Sequence, residues 1–145
     1  MRVAITGATG NVGTSLLTAL SRDNRVDEIV GIARRRPNLA FERTRWACAD
    51  ITRDDLSEVF RGADVVVHLA WLIQPSHDRS ETRTVNVEGS RRVFAAVAAA
   101  GVPSIVYASS VGTYSPGPKD RLVDESWPTD GIPTSFYSRD KSDVE

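Results

Sequence analysis

A tyrosine and a lysine near the end of the chain have the spacing of an acid–base pair. Tyr137 and Lys141 are four residues apart in FYSRDKSDVE, a stretch that predicts a helix with both side chains on one face. A free phenol has a pKa of about 10 and exchanges protons poorly at neutral pH. A neighbouring ammonium stabilises the phenolate, so the pair predicts general acid–base chemistry. The alternative is an exposed tyrosine and lysine on an ordinary helix.

Three glycines near the start of the chain predict a binding site for a pyrophosphate. Gly7, Gly10 and Gly13 separate the apolar run RVAIT from a segment with apolar residues at helical spacing. A tight strand-to-helix turn needs a residue that tolerates positive φ, and a pyrophosphate approaches the backbone closely only where no Cβ intervenes. The helix N-terminus also favours an anion. A glycine-rich turn without a ligand is the alternative. The other loop residues expected to contact the ligand are Thr9, Asn11 and Val12.

Three arginines after the second predicted strand indicate which dinucleotide the glycine loop would bind. An acidic residue about twenty positions beyond the glycines binds the ribose hydroxyls of NAD, whereas arginine accommodates the 2′-phosphate of NADP. Ala33 occupies that position here, and Arg34, Arg35 and Arg36 follow it. Because a guanidinium can hold a phosphate through two parallel hydrogen bonds, we expect NADP, with NAD the less favoured cofactor. Arg34 is the first candidate and Arg35 the second, and the alternative is a solvated arginine cluster.

Apolar runs that alternate with helical patterns predict the elements that position these residues. Strands are expected at 2–6, 28–33, 43–49, 63–70 and 104–110, and helices from about 11, over 53–62, over 82–100 and from about 136. This alternation predicts an α/β fold, a three-layer doubly wound parallel sheet of the Rossmann type with at least five strands. The buried face of the first helix is expected to contain Val12, Leu16, Leu17 and Leu20.

Composition excludes several classes of protein. The 145 residues suffice for one domain, and the net charge of -1 gives no footprint for nucleic acid or an anionic membrane. No apolar run is long enough to span a bilayer, and MRVAIT leaves no room for a targeting segment, so we expect a cytoplasmic protein. The single cysteine excludes an intramolecular disulfide, and no metal site is expected.

Taken together, the motifs resemble the extended short-chain dehydrogenase/reductase superfamily, in its epimerase/dehydratase-like branch. The similarity includes TGATGNVG and continues through DITRDDL, DVVVHLA, VNVEGSRRVFAAVAAAGV, VYASSVGTYS and FYSRDKSDVE in the family's order. It covers nearly the whole chain but only the N-terminal half of a typical member. We therefore expect residues 1–145 to form an incomplete, C-terminally truncated NAD(P)-binding Rossmann domain that lacks the substrate-binding part.

The resemblance implies further catalytic residues. In this family a serine at the end of the fifth strand hydrogen-bonds the reacting oxygen of the substrate, and Ser110 matches it beside Tyr137 and Lys141. Asn86 resembles a buried asparagine that steadies the active-site backbone, although it could equally cap a helix.

Other residues are expected to contact the cofactor. Asp50 and Ile51 match an Asp-Ile pair that lies along the adenine ring, and the alternative for Asp50 is an acid at a helix N-terminus. The remaining residues expected to contact it are Leu69, Ala70, Tyr137 and Lys141.

Two residues depart from the family's pattern: Ser115, which replaces a frequent glycine after Tyr114, and Trp71. Trp71 stands where a small residue is usual, so it could narrow the nicotinamide pocket, mark a bulky apolar substrate or belong to the core. His68 is expected to be a satisfied core histidine and His77 a solvated loop residue.

The function that the resemblance implies is an NADP-dependent oxidoreductase acting on a small-molecule carbonyl or alcohol. Two alternatives stay open: a nucleotide-sugar epimerase or dehydratase that uses NAD, and a non-catalytic dinucleotide-binding or redox-sensing module. Family members often dimerise, which here implies a homodimer through helix 82–100 and the helix that starts near Tyr137.

Overall fold

The computed structural model describes residues 1–73 and 79–145. Its centre is a five-stranded parallel sheet with the strand order β3-β2-β1-β4-β5. The strands are β1 (Arg2–Thr6), β2 (Glu28–Ala33), β3 (Thr44–Cys48), β4 (Val65–His68) and β5 (Ile105–Tyr107). The predicted α/β fold, with its parallel Rossmann-type sheet, is confirmed.

The helices connect successive strands or follow the last one. They are α1 (Asn11–Leu20), α2 (Ser57–Phe60), α3 (Arg79–Arg83), a π-helical segment (Thr84–Glu88), α4 (Gly89–Ala99), a 3-10 turn (Val111–Thr113) and α5 (Phe136–Val144). Within the described residues no helix combines the length and apolar character needed to cross a membrane.

Two apolar clusters cover the two faces of the sheet. Val3 and Ile5 of β1 pack with Leu17 of α1 on one face. Ala4 between them belongs to the other cluster, which includes Phe60 of α2 and residues of α4. Successive residues of a strand point to opposite faces, so a strand buried on both faces must be apolar throughout, as RVAIT nearly is.

Two predicted helices have different bounds in the structure. The helix predicted over 53–62 is formed only at 57–60, because the segment before it is a turn in which the Asp50 carboxylate accepts hydrogen bonds from the N–H and hydroxyl of Thr52. The helix predicted over 82–100 begins earlier, at Arg79, and contains the π-helical segment, in which the Gly89 N–H donates to the Thr84 carbonyl.

Helix α5 is anchored at its start and along one side. The Ser135 hydroxyl oxygen accepts a hydrogen bond from the Ser138 N–H, which caps the helix. Arg83 of α3 pairs with Asp140 of α5 at 3.2 Å and with Asp143 at 2.6 Å. Because α5 also packs against the π-helical segment and the 3-10 turn, its position relative to the sheet edge is fixed.

Candidate functional site

A cavity of about 540 Å³ lies at the carboxyl ends of the first four strands. The segments that follow β1, β2, β3 and β4 each contribute to its wall, as ligand sites of open parallel sheets do. Of the predicted cofactor residues, those that line it are Gly7, Thr9, Gly10, Arg34, Asp50, Ile51, Leu69 and Ala70.

The glycine loop needs two of its glycines for steric reasons. Gly7 has φ +68°, and a Cβ there would be 2.6 Å from the Ala70 nitrogen. A Cβ on Gly13 would be 2.4 Å from the Gly7 carbonyl oxygen. Only residues without a side chain let the loop lie against the end of β4 and against the first turn of α1. Gly13 therefore shapes the loop, although it does not itself line the cavity.

The remaining loop residues differ in position. Thr9 and Gly10 line the cavity, whereas Asn11 and Val12 do not. Val12 was predicted on the buried face of α1, but its side chain is 66% exposed, so that prediction is wrong. Helical spacing places it one turn before Leu16, but Val12 belongs to neither apolar cluster, whereas Leu17 is fully buried in one of them.

Arg34 is the arginine that reaches the cavity. It lines the wall, whereas the exposed Arg35 and Arg36 do not. Among the described residues Arg34 forms no ion pair. Its guanidinium is thus available to an anionic ligand, in the position predicted from the sequence.

The Asp50 carboxylate is not at a helix N-terminus, the alternative considered for it, because α2 begins only at Ser57. It lines the cavity and closes the turn before α2 by accepting bonds from Thr52 at 3.0 Å and 2.7 Å. These hydrogen bonds hold the pKa of the Asp50 carboxyl below its usual range, with a smaller contribution from the Arg34 charge. Asp50 therefore stays ionised at neutral pH.

Ser110 and Tyr137 meet around Gly112. A Cβ built on Gly112 would be 3.3 Å from the Ser110 Oγ and 3.6 Å from Cε1 of Tyr137. The Ser110 Oγ accepts a hydrogen bond from the Gly112 N–H at 3.0 Å, and its own O–H stays available as a donor. Absence of a side chain at Gly112 keeps the two hydroxyl-bearing residues near each other.

Lys141 is buried, with its side chain directed towards β5. Its Nζ donates to the Ala108 carbonyl at 2.6 Å and to the Tyr107 hydroxyl at 3.1 Å. Burial lowers the pKa of the Lys141 ammonium to about 8, and the Glu145 carboxylate opposes that shift. The ammonium is charged at neutral pH, and a modest rise in pH removes its proton.

Asn86 holds the segment that follows β4. It lies inside a continuous helix, so it does not cap one. Its amide donates to the Leu72 carbonyl at 3.0 Å and accepts from the Leu72 N–H at 2.7 Å. The π-helical segment thus places a buried amide where it fixes the backbone next to Trp71.

His68 is a satisfied core residue, as expected. It is fully buried, and its ring nitrogens are 2.6 Å from the Thr6 hydroxyl and 2.9 Å from the Ser90 hydroxyl. Burial lowers its pKa to about 4, and the Lys141 charge adds to the shift. The imidazole is therefore neutral near pH 7. His77 lies outside the described residues.

Trp71, for which the sequence left a pocket role and a core role open, lies at the cavity, and the start of the long helix adds contributors that sequence patterns missed. Trp71 lines the cavity and also contacts Tyr137 and Lys141, a position between the cavity and the predicted catalytic residues. Residues at the start of the long helix also line the cavity: Ser80, Glu81, Thr84 and Val85. The polar sequence there has no apolar periodicity that would signal a helix before Thr82.

A parallel sheet in the order 3-2-1-4-5, with a glycine-loop cavity at its carboxyl edge, defines a Rossmann-type nucleotide-binding domain. The model of the NAD dependent epimerase/dehydratase family matches residues 3–145, and the chain belongs to that family.

Several characterised proteins are similar to this chain. An L-arabinose 1-dehydrogenase (NAD(P)(+)) of Haloferax volcanii is 36% identical over 110 residues, which cover 75% of this chain and 41% of that enzyme. The structure of MoeE5 in complex with UDP-glucuronic acid and NAD has a TM-score of 0.83 at 30% identity, over 99% of this chain and 47% of that chain. A short-chain dehydrogenase/reductase superfamily protein of Agrobacterium tumefaciens with bound NAD has a TM-score of 0.82 at 30% identity, over 99% and 43%. The chain spans less than half the length of each.

Proposed function

We propose that the protein is an NADP-dependent oxidoreductase of the extended short-chain type, acting on a carbonyl or alcohol of a small molecule. The observation that carries this proposal is one wall residue, Trp71, which lies both on the cavity beside the glycine loop and against Tyr137 and Lys141. Binding surface and acid–base residues are therefore adjacent in space although they are far apart in sequence.

The residues present fit a dinucleotide. Gly7, Thr9 and Gly10 line the cavity in a loop whose shape a Cβ at Gly7 or Gly13 would disrupt, and the loop leads into the N-terminus of α1. A pyrophosphate would be held there by backbone N–H groups and the helix dipole. Ile51 and the Asp50 backbone would contact the adenine, and Arg34 would contact a phosphate on the adenosine ribose.

Three side chains would handle the proton and the oxygen of the substrate. A bound nicotinamide dinucleotide supplies or accepts the hydride. Tyr137 gives a proton to the reacting oxygen, or takes one from it, and the Lys141 charge favours the phenolate form of Tyr137. The free O–H of Ser110 donates to the same oxygen and orients it.

Arg34 is expected to select NADPH over NADH. Arg34→Ala should weaken NADPH binding about 10- to 100-fold, because it removes a charged hydrogen-bonding partner of the phosphate, and should leave NADH binding almost unchanged. Nicotinamide fluorescence titrations with both cofactors measure the two affinities. Arg36→Ala is the matched control, since Arg36 is exposed outside the cavity and its loss should change neither affinity. An equal loss for both cofactors in Arg34→Ala would show that Arg34 does not recognise the phosphate.

Tyr137 is expected to be required for turnover but not for cofactor binding. In a longer version that also contains the substrate-binding part, Tyr137→Phe should lower the rate about 100- to 10,000-fold, the usual contribution of a general acid or base, while NADPH affinity stays nearly the same. Absorbance of NADPH with a panel of ketones and aldoses gives the rate. Tyr114→Phe removes a phenolic hydroxyl outside α5 and is the control. Normal turnover in Tyr137→Phe would exclude this mechanism.

Two other functions also have support, and the same binding and activity measurements distinguish them from the proposed oxidoreductase. The 30% identity to MoeE5, whose structure contains UDP-glucuronic acid and NAD, favours an epimerase or dehydratase of nucleotide sugars. Interconversion of UDP-sugars without net NADH formation would establish that function. Tight cofactor binding without turnover on ketones, aldoses or UDP-sugars, in a longer version that also contains the substrate-binding part, would indicate a non-catalytic module.

Homodimerisation through α3, α4 and α5 is a further part of the proposal. Exposed charges lie along this surface, among them Arg91 of α4, which pairs with Glu88 of the π-helical segment at 3.2 Å. Light scattering at several protein concentrations distinguishes a dimer from a monomer.

A further inference from the structure

Trp71 contacts both residues of the predicted acid–base pair. The Lys141 Nζ lies 3.6 Å from the centroid of the Trp71 ring, over its face. The Tyr137 ring packs edge-on against the same indole, with centroids 6.0 Å apart and planes at 78°. A single side chain thus touches both partners, and their geometry depends on where that side chain is held.

The backbone next to Trp71 is held firmly. The Asn86 amide makes two hydrogen bonds to Leu72, and Asn86 itself is 1% exposed. The Trp71 indole cannot move far without either breaking these bonds or losing its contacts with Lys141. The π-helical segment, Leu72 and Trp71 therefore form a continuous support for the ammonium.

The indole face supplies an attraction that other apolar side chains lack. A ring face carries partial negative charge and attracts a cation within about 6 Å of the centroid. Two uncharged polar groups among the described residues also lie near Lys141: the Tyr107 hydroxyl, whose pKa is raised by burial, and the neutral His68 imidazole. Glu145, the residue that follows α5, is the carboxylate that favours the charged ammonium. Within the part of the chain that the structure describes, two ring faces also attract the buried charge: that of Trp71, with its centroid 3.6 Å from the Lys141 Nζ, and that of Tyr107, at 4.6 Å. The Trp71 face is the nearer of the two, and Tyr107 also accepts a hydrogen bond from the ammonium, as does the Ala108 carbonyl.

We propose that Trp71 is a positioning residue for the Tyr137–Lys141 pair: its ring face holds the Lys141 ammonium, and its edge contact orients the Tyr137 ring. This rests on the proposed function, because it assigns Trp71 a role towards two residues of that site. A residue that only filled space there could be replaced by another apolar side chain of similar bulk.

The pKa of Lys141 distinguishes positioning from space-filling. Trp71→Leu keeps the site dry but removes the ring face, so the pKa of Lys141 should fall about one unit below its value of about 8. Trp71→Ala admits water, so the same pKa should rise towards the ordinary value of about 10.4. Trp71→Phe keeps a ring face and should restore most of the wild-type value. NMR of lysine labelled with ¹³C at Cε measures the titration, and the exposed Lys119 is the internal control.

A second measurement needs no change at position 71. The Nε1–H resonance of Trp71 should shift with a midpoint near pH 8 as Lys141 loses its proton, and this shift should be absent in Lys141→Met. The indole N–H groups of Trp46 and Trp127, which donate to the carbonyls of Leu39 and Ser115, should not follow that midpoint.

The outcomes separate this proposal from the proposed function. The positioning role is overturned if the pKa of Lys141 is unchanged in Trp71→Leu, or if the Trp71 resonance does not shift as Lys141 titrates. Either result leaves the cofactor proposal intact. Failure of both NADPH and NADH to bind overturns the proposed function, while the two titrations still decide whether Trp71 holds the ammonium.

Discussion

Replacing Gly7 with alanine is expected to destabilise the protein by about 2–4 kcal/mol. A side chain at φ +68° costs about 1 kcal/mol, and a Cβ 2.6 Å from the Ala70 nitrogen adds a backbone clash of about 1–3 kcal/mol. Small domains are stable by only about 5–15 kcal/mol, so this is a large fraction of the total. Urea denaturation followed by circular dichroism gives the change in the free energy of unfolding.

Gly101 provides a matched control for that experiment. It has nearly the same φ, +67°, but no atom lies within 4 Å of a Cβ built there. Gly101→Ala should therefore cost only the backbone term, about 1 kcal/mol. The difference between the two variants isolates the contact between the glycine loop and the end of β4. If both variants unfold at the same urea concentration, that contact is not as close as described.

Acidification between pH 6.5 and pH 4 is expected to remove about 3 kcal/mol of stability through His68. Its pKa is about 4 in the folded protein and about 6.5 in the unfolded chain, so only the unfolded chain binds a proton within this range. Stability from this residue is therefore complete above pH 6.5 and is lost as the pH falls towards 4. Urea denaturation at several pH values across this interval measures how steeply the free energy of unfolding changes with pH.

Two variants assign that slope to His68. His68→Gln should be less stable at pH 7, because it loses ring contacts, but should lack this pH dependence. His77→Gln replaces the chain's other histidine and should keep the pH dependence of stability. The comparison is needed because burial raises the pKa of the Asp140 carboxyl, which contributes in the opposite direction at low pH. A slope that persists in His68→Gln would contradict the assignment.

Local sequence patterns predicted the strands and the glycine loop well, because their causes are local. An apolar run such as RVAIT is explained by burial on both faces, and Gly7 by a turn with positive φ. Val12 and the start of the long helix were predicted less well. The exposure of Val12 and the position of the helix start depend on where neighbouring elements end, and a short stretch of sequence does not carry that information.

The site was predictable as a set of residues but not as an arrangement. Spacing placed Tyr137 and Lys141 on one helix, yet the contact of both with Trp71 joins segments about 70 residues apart in the chain. Asn86 was expected either to cap a helix or to steady backbone, and only the π-helical segment decides between these roles. Contacts between distant segments carry this information, so residue types alone could not supply it.

The π-helical segment also changes the angular phase of one long helix. Each α-helical residue advances about 100° around the axis, so one extra residue per turn rotates everything before it relative to everything after it. Arg83, before the segment, faces the carboxylates of α5, whereas Ser90, after it, faces His68 beneath the sheet edge. The same long helix thereby contacts two different layers of the fold. Deleting a single residue between 84 and 88 would rotate its first half relative to its second half, so the two halves could not both keep these contacts.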